Sequence, residues 1–277
     1  MKNSLIYYYN IYVIDLNKVS DDYYFIYNGI DFKLEKVKRS ISELNELYIL
    51  NNEMIMNDIP VFQIVLTLKS EISFYYDNSY YVLLKLNKFH NRKITFDDVI
   101  NFSYIPKNSY KLIDKSNWAY FWSNKIDYIE HQFVQMKNKY SLIDSSIDYY
   151  IGIWENGISF YNNVVSKNDF ELKMVCHKRI NSSNDLMYFY DPLNLVIDYK
   201  ERNVGEYLKF YIFENNYSDE TIVNFFNAIP KQYDTITRLI ARLLFPSFYF
   251  DLYEKIIEEN EVENILDDVI KKNNNYE

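Results

Sequence analysis

Residues 176–211 read CHKRINSSNDLMYFYDPLNLVIDYKERNVGEYLKFY and join a polar loop to an apolar strand. The loop opens at His177, and the β-branched, apolar run from Leu195 to Ile197 predicts a buried strand. Asp198 ends that strand. A bare carboxylate in such a place is costly without a partner, so two interpretations stay open, a metal ligand or one half of a buried salt bridge.

The first third of the chain predicts an antiparallel sheet with one helix. Residues 5–37 are rich in Tyr, Ile and Val and indicate short strands, with a hairpin turn at Asn28-Gly29 between Tyr23–Tyr27 and Ile30–Val37. A capping-box pattern at Ser40 and Glu43 predicts a helix over residues 41–56. Further strands are predicted at residues 61–67, 72–76 and 80–86.

From Thr95 onward the pattern becomes helical. Apolar side chains recur at helical spacing in two long segments, and in the second we expect Ile151, Trp154 and Ile158 to be buried on one face. The stripe in the first segment consists of Trp118, Phe121, Trp122, Ile126, Ile129 and Phe133. Three more helices are predicted at residues 218–230, 234–244 and 247–258.

Composition limits the classes of function. A net charge of −9 argues against nucleic acid and anionic membrane surfaces as partners. We identify no signal peptide, and the apolar runs are far shorter than the roughly 20 residues that cross a bilayer. Cys176 is the only cysteine in the sequence, which excludes an internal disulfide and fits a reducing compartment.

The loop after Cys176 resembles the catalytic loop of phosphotransferases of the aminoglycoside-kinase type, which reads HGDxxxxN. Aligned on His177, the loop here reads HKRINSSN, so Asn184 keeps the asparagine and Arg179 occupies the position of the catalytic aspartate. Arginine cannot act as a general base because it stays protonated in proteins. The resemblance also implies that Asp198 stands at the metal-binding position.

The remaining parts of a kinase site can be sought by position. Lys33 is the candidate for the strand lysine that holds the phosphates, with a solvated lysine as the alternative. Lys36 is a second candidate, and Glu35 stands where a Leu-Lys-x-Val pattern would put the lysine. Glu46 is the candidate for the helix acid that orients this lysine, and an exposed surface carboxylate is its alternative. With 4 glycines at scattered positions, the chain offers no glycine-rich phosphate loop.

Four segments narrow the resemblance to one family. Residues 148–161, 176–180, 191–209 and 242–256 resemble the spore-coat kinase-like proteins of endospore-forming bacteria, the CotS/YutH type, with the YutH branch most similar. In that family the strand acid is followed by an Arg-Asp-x-x-Glu-Tyr run. Arg202 and Glu206-Tyr207 match this run, whereas Asn203 replaces the aspartate.

The resemblance implies an α+β, protein-kinase-like bilobal fold of the aminoglycoside-phosphotransferase-like superfamily. We expect an antiparallel-sheet N-lobe at residues 1–88 and a mainly helical C-lobe at residues 89–277, with the hinge at residues 87–92.

For function, the resemblance implies a noncatalytic kinase-like protein, a pseudokinase, that is made in the mother-cell cytoplasm. It would associate with the forming endospore coat and bind or scaffold other coat proteins, without a cofactor. One alternative is an active small-molecule phosphotransferase of the aminoglycoside/choline kinase type that uses ATP and Mg²⁺. Another is a pseudokinase that binds nucleotide or a metabolite as a switch.

Overall fold

The computed structural model describes residues 1–88, 92–165, 172–180, 185–213, 219–229, 231–259 and 261–274. The helices and strands in chain order are α1 (Lys2–Tyr9), β1 (Asn17–Val19), β2 (Asp22–Tyr27), β3 (Ile30–Val37), α2 (Ile41–Met56), β4 (Gln63–Val65), β5 (Phe74–Tyr76), β6 (Ser79–Lys85), α3 (Phe96–Asn101), α4 (Trp118–Met136), α5 (Ser141–Val165), β7 (Met174–His177), β8 (Leu195–Asp198), α6 (Glu201–Phe213), α7 (Asp219–Ala228), α8 (Tyr233–Leu244), α9 (Ser247–Glu259) and α10 (Asp267–Asn274). Short 3-10 turns lie at Leu186–Tyr190, Pro192–Asn194 and Glu263–Leu266.

The chain divides into two compact units, each built from two pieces of sequence. The first unit consists of Met1–Asp114 and Lys173–Asp198, and the second of Lys115–Leu172 and Tyr199–Glu277. The sequence predicts two lobes with a boundary at residue 88, which differs from the boundaries of these two units. The lobe boundary remains a prediction.

The first unit contains an antiparallel sheet with the strand order β1-β2-β3-β6-β4, and β5 also pairs with β6. The turn between β2 and β3 is the predicted Asn28-Gly29 hairpin. Both residues have positive φ, 50° and 73°, which is the backbone of the tight turn that Asn-Gly favours. The strands predicted at residues 61–67 and 72–76 are shorter than expected and extend over Gln63–Val65 and Phe74–Tyr76.

One face of this sheet is covered by α1, where the sequence prediction was wrong. The prediction placed short strands from residue 5, whereas residues 2–9 are helical. Leu5 and Tyr9 lie one helical turn apart, and both are buried in a cluster with Phe74 of β5. This packing overrides the weak helix propensity of the Tyr- and Ile-rich segment.

The opposite face is covered by α2, which has the predicted bounds and the predicted capping box of Ser40 and Glu43. Its buried residues include Asn51, whose amide nitrogen donates to the carbonyl of Phe62 at 2.7 Å. The backbone N–H of Ile64 donates to the Asn51 amide oxygen at 3.0 Å. A buried amide with both ends satisfied fixes the position of α2 against β4.

The predicted buried strand is β8, and all four of its residues are buried. It forms an antiparallel hairpin with β7, in which His177 is opposite Leu195 and Met174 is opposite Asp198. Val175, Leu195 and Ile197 belong to the same apolar cluster as the buried face of α2.

The second unit is helical. The buried face of α4 includes Trp118, Trp122, Ile126 and Ile129, as predicted. Phe121 is 39% exposed, contrary to the prediction, because it precedes Trp122 by one residue and therefore points about 100° away around the helix. In α5, Ile151 and Trp154 are buried as predicted and Ile158 is partly buried.

The helices in the described parts of the chain lack the combination of length and hydropathy that a membrane span needs.

Candidate functional site

Lys33 lies on β3 with its ammonium group enclosed by three carboxyl groups. The Lys33 Nζ is 2.5 Å from Glu35 Oε2, 3.2 Å from Asp191 Oδ2 and 3.3 Å from Asp22 Oδ2. The ring of Tyr188 lies 5.6 Å away on another side. Lys33 is only 3% exposed, so the solvated alternative does not apply. We call Lys33, Asp22, Glu35 and Asp191 the lysine cage.

The charges of the cage shift the pKa of two of its members. Burial by itself would lower the pKa of Lys33, but the negative charges of Asp191, Glu35 and Asp22 outweigh it and raise that pKa. Burial raises the pKa of Glu35, and the neighbouring charge of Asp191 raises it further. A proton held by Glu35 reduces the repulsion between these two carboxyl groups.

Glu46 on α2 binds a loop of the same unit. Its two carboxylate oxygens accept hydrogen bonds from the backbone N–H groups of Lys111, Leu112 and Ile113 at 2.8–3.0 Å. In the described part of the chain, the acidic partners of Lys33 are the three cage residues. A role for Glu46 in cofactor binding remains a prediction.

Two helical turns further along α2, Glu53 holds the preceding part of this loop. Its carboxylate accepts hydrogen bonds from the backbone N–H of Lys107 and from the side chains of Tyr104, Asn108 and Tyr110 at 2.6–3.0 Å. Burial acts to raise the pKa of Glu53, but these four donors outweigh it and lower the pKa.

The loop after β7 is anchored by main-chain contacts. The Nε2 of His177 lies 2.7 Å from the carbonyl oxygen of Phe189, so Nε2 carries the proton and donates. The amide of Asn194 clamps Arg179, since its oxygen accepts from the Arg179 N–H at 3.2 Å and its nitrogen donates to the Arg179 carbonyl at 2.8 Å. Asn184, the predicted loop asparagine, lies outside the described residues.

Arg179 at the base position and Asp198 at the predicted metal position differ in burial. The side chain of Arg179 is exposed, whereas Asp198 is fully buried. The strand register explains the difference, because Asp198 is opposite Met174 at one end of the hairpin and Arg179 follows His177 at the other. The metal role predicted for Asp198 remains a prediction.

The second unit brings together two of the segments that resemble the spore-coat family. Glu206 on α6 accepts hydrogen bonds from Nη2 and Nε of Arg242 on α8 at 2.6 and 3.0 Å. Arg238 on α8 pairs with Glu201 on α6 at 3.2 Å. Gly205 permits this approach, because a Cβ at that position would lie 2.6 Å from Cγ of Arg242.

Sequence reasoning missed Asp22 and Asp191 as members of the cage. Asp191 precedes Pro192 and caps the short 3-10 turn, where its side chain accepts from the Leu193 N–H at 2.9 Å. The Asp-Pro pair is a local turn signal, but no pattern in the sequence connects it to a lysine on β3.

Three solved structures show the similarity of this fold to phosphotransferases. An aminoglycoside phosphotransferase from Alicyclobacillus acidocaldarius subsp. acidocaldarius DSM 446 aligns with a TM-score of 0.63 at 8% identity, covering 99% of this chain and 92% of that one. An amicoumacin kinase solved with AMP-PNP, Ca²⁺ and Ami aligns at 0.60 and 10% identity, covering 98% and 90%. A spectinomycin phosphotransferase solved with ADP and spectinomycin aligns at 0.55 and 13% identity, covering 95% and 89%.

At these identities the similarity establishes the fold alone, and it confirms the predicted aminoglycoside-phosphotransferase-like class. Comparison with curated protein sequences gives no match. The family model described as "Spore coat putative kinase YutH" matches residues 2–277, nearly the whole chain. The chain therefore belongs to the YutH family of spore coat putative kinases.

Proposed function

We propose that this protein is a noncatalytic member of its kinase-like fold and acts in spore coat formation by binding other coat proteins. The observation that carries the proposal is the lysine cage. In a protein kinase, the strand lysine contacts the phosphates of ATP and a glycine-rich loop covers them. Here three carboxyl groups already surround the ammonium of Lys33 within 3.3 Å.

The surroundings of Lys33 do not fit a nucleoside triphosphate. The turn between β1 and β2 stands where a glycine-rich loop would bind phosphate, and it leads directly into Asp22, whose carboxylate lies 3.3 Å from Lys33. Asp21 of this turn pairs with Lys36. Glu35 and Asp191 add two further carboxyl groups. An anionic ligand that contacts the ammonium of Lys33 would have to displace carboxyl groups that already bind it. Arg179 at the base position supports the same proposal.

Nucleotide binding tests the proposal directly. A ligand at about 100 times its Kd stabilises the folded state by about 2.7 kcal/mol, which a thermal melt detects. We expect millimolar MgATP to leave the melting temperature of the parent and of Lys33→Met equally unchanged. The spectinomycin phosphotransferase with ADP serves as the positive control.

A clear rise in the melting temperature of the parent that Lys33→Met abolishes would favour a pseudokinase that binds nucleotide as a switch. Turnover of MgATP in addition would favour the second candidate, an ATP- and Mg²⁺-dependent small-molecule phosphotransferase. That candidate is supported by the fold, since two of the similar structures were solved with ADP or AMP-PNP. The coat role is tested separately by a fluorescent fusion in sporulating cells, and signal that stays diffuse throughout coat assembly argues against it.

A further inference from the structure

The first unit has an open groove lined by residues of β2 and β3 and of the segment that precedes β1. It encloses about 1020 Å³, at the upper end of the roughly 300–1,000 Å³ that small-molecule sites occupy. Its walls include Tyr12, Ile14, Asp15, Ile26, Asp31 and Met187. We call it the edge groove.

The walls of the edge groove expose large apolar side chains. Ile14 is 86% exposed, Ile26 68% and Tyr12 63%. Single exposed apolar residues are ordinary on protein surfaces. Three that line one groove form an apolar surface that a partner protein can cover.

Acidic side chains outnumber basic ones in the described lining of the groove. Among the described residues, Asp15 and Asp31 make no ion pair, whereas Asp185 pairs with Lys93 at 2.8 Å. Lys88 is the basic member of the described lining. Asp31 on β3 is paired directly with Ile26 on β2. An acidic and an apolar side chain are therefore neighbours on this part of the sheet.

We propose that the edge groove binds an extended segment of a partner protein in which basic and apolar side chains alternate. Aliphatic side chains of the segment would cover Ile14 and Ile26, while its lysine or arginine groups would reach Asp15 and Asp31. Charge complementarity selects this occupant, since Asp15 and Asp31 make no ion pair among the described residues and line the same groove as exposed apolar side chains. The proposal rests on the binding function proposed above and names the chemistry of the partner.

A pair of short fluorescent peptides tests this proposal. The first alternates lysine and leucine, and the second has glutamate in place of each lysine. We expect the lysine peptide to bind the full-length protein and the glutamate peptide not to bind. Raising the salt from about 0.05 to about 0.5 M should weaken the binding because the charges are solvent-exposed.

Variants locate the site. Asp15→Asn with Asp31→Asn should weaken lysine-peptide binding by about tenfold and leave the melting curve unchanged. The matched control is Asp58→Asn, an exposed acid after α2 with φ of 58°, which should bind like the parent. Equal binding of both peptides, or full binding by the double variant, would overturn the proposal.

Spermidine supplies the other discriminating measurement. If spermidine displaces the lysine peptide at equal concentration, the groove recognises small amines and a protein segment is the wrong occupant. A response to MgATP bears on the proposed function instead, and it is read from a different signal, the melting temperature.

Discussion

At the scale of single residues, the lysine cage makes stability depend on pH. The pKa of Glu35 is raised in the folded state by burial and by Asp191. The folded protein therefore holds a proton that the unfolded chain releases near its ordinary pKa. This contribution to stability is fully present below the unfolded pKa and is lost as the pH rises through the folded pKa.

We therefore expect the free energy of unfolding to fall as the pH rises above the ordinary pKa of a glutamate, and Glu35→Gln to flatten this decline. Urea denaturation at several pH values measures it. The parent and the variant share all other titrating groups. The difference between their pH dependences therefore gives the contribution of Glu35. A parallel pair of curves would show that Glu35 does not hold the proton.

Arg179 gives a second prediction at this scale. Arg179→Asp restores the acid of the HGDxxxxN pattern, but Lys33 stays within its three carboxyl groups. We expect this variant to release no phosphate from MgATP. Since the Arg179 side chain is exposed, the variant should fold, which circular dichroism checks. Turnover of MgATP by the folded variant would refute the role assigned to the cage.

At the scale of elements, α2 is fastened to the loop at residues 104–113 by two carboxylates, Glu46 and Glu53. Glu53→Ala removes the shared acceptor of four donors, of which Tyr110 is buried and Tyr104 half-buried. We expect a loss of about 3 kcal/mol in the free energy of unfolding. Asn52→Ala, at the neighbouring position of the same helix, is the control and should change little. Chemical denaturation measures the free energy of unfolding of both variants. Equal values would show that the hydrogen bonds of Glu53 do not stabilise the protein.

Two glycines in helices allow a matched comparison. At Gly205 in α6 an added Cβ would lie 2.6 Å from Cγ and 3.1 Å from Cβ of Arg242, while at Gly152 in α5 it would meet no atom within 4 Å. Gly205→Ala should cost about 1–3 kcal/mol through overpacking. Gly152→Ala should stabilise by about 0.5–1 kcal/mol, because alanine favours the helix. Equal effects in thermal or urea melts would mean that α6 and α8 can separate without cost.

At the scale of the whole molecule, the first unit depends on both of its pieces. Val175, Leu193, Leu195 and Ile197 from the second piece complete the apolar cluster under α2. The last residue of the first piece contacts the first residue of the second, since Lys173 Nζ lies 2.7 Å from Asp114 Oδ2.

We expect a fragment of residues 1–114 to stay unfolded, whereas the same fragment joined by a short Gly-Ser linker to residues 173–198 should fold. Amide dispersion in NMR spectra distinguishes the two. Cooperative folding of residues 1–88 alone would instead support the lobe boundary predicted from the sequence.

The sequence determined those features that depend on residues a few positions apart. The Asn28-Gly29 turn, the bounds and capping box of α2, the buried strand β8 and the buried stripes of α4 and α5 all follow from local backbone preference or from a repeating apolar pattern. Family membership also followed from contiguous motifs. Such signals are complete within one segment, so they can be interpreted without knowing what packs against it.

Only the tertiary structure decided which charges meet. Lys33 and Asp191 are separated by 158 positions, and Glu46 turns to backbone groups at residues 111–113 and not to Lys33. The helix α1 likewise forms because Leu5 and Tyr9 reach Phe74, against the preference of their own segment. Side-chain partners and marginal helices depend on the strand register and on distant surfaces, which no local pattern of residues contains.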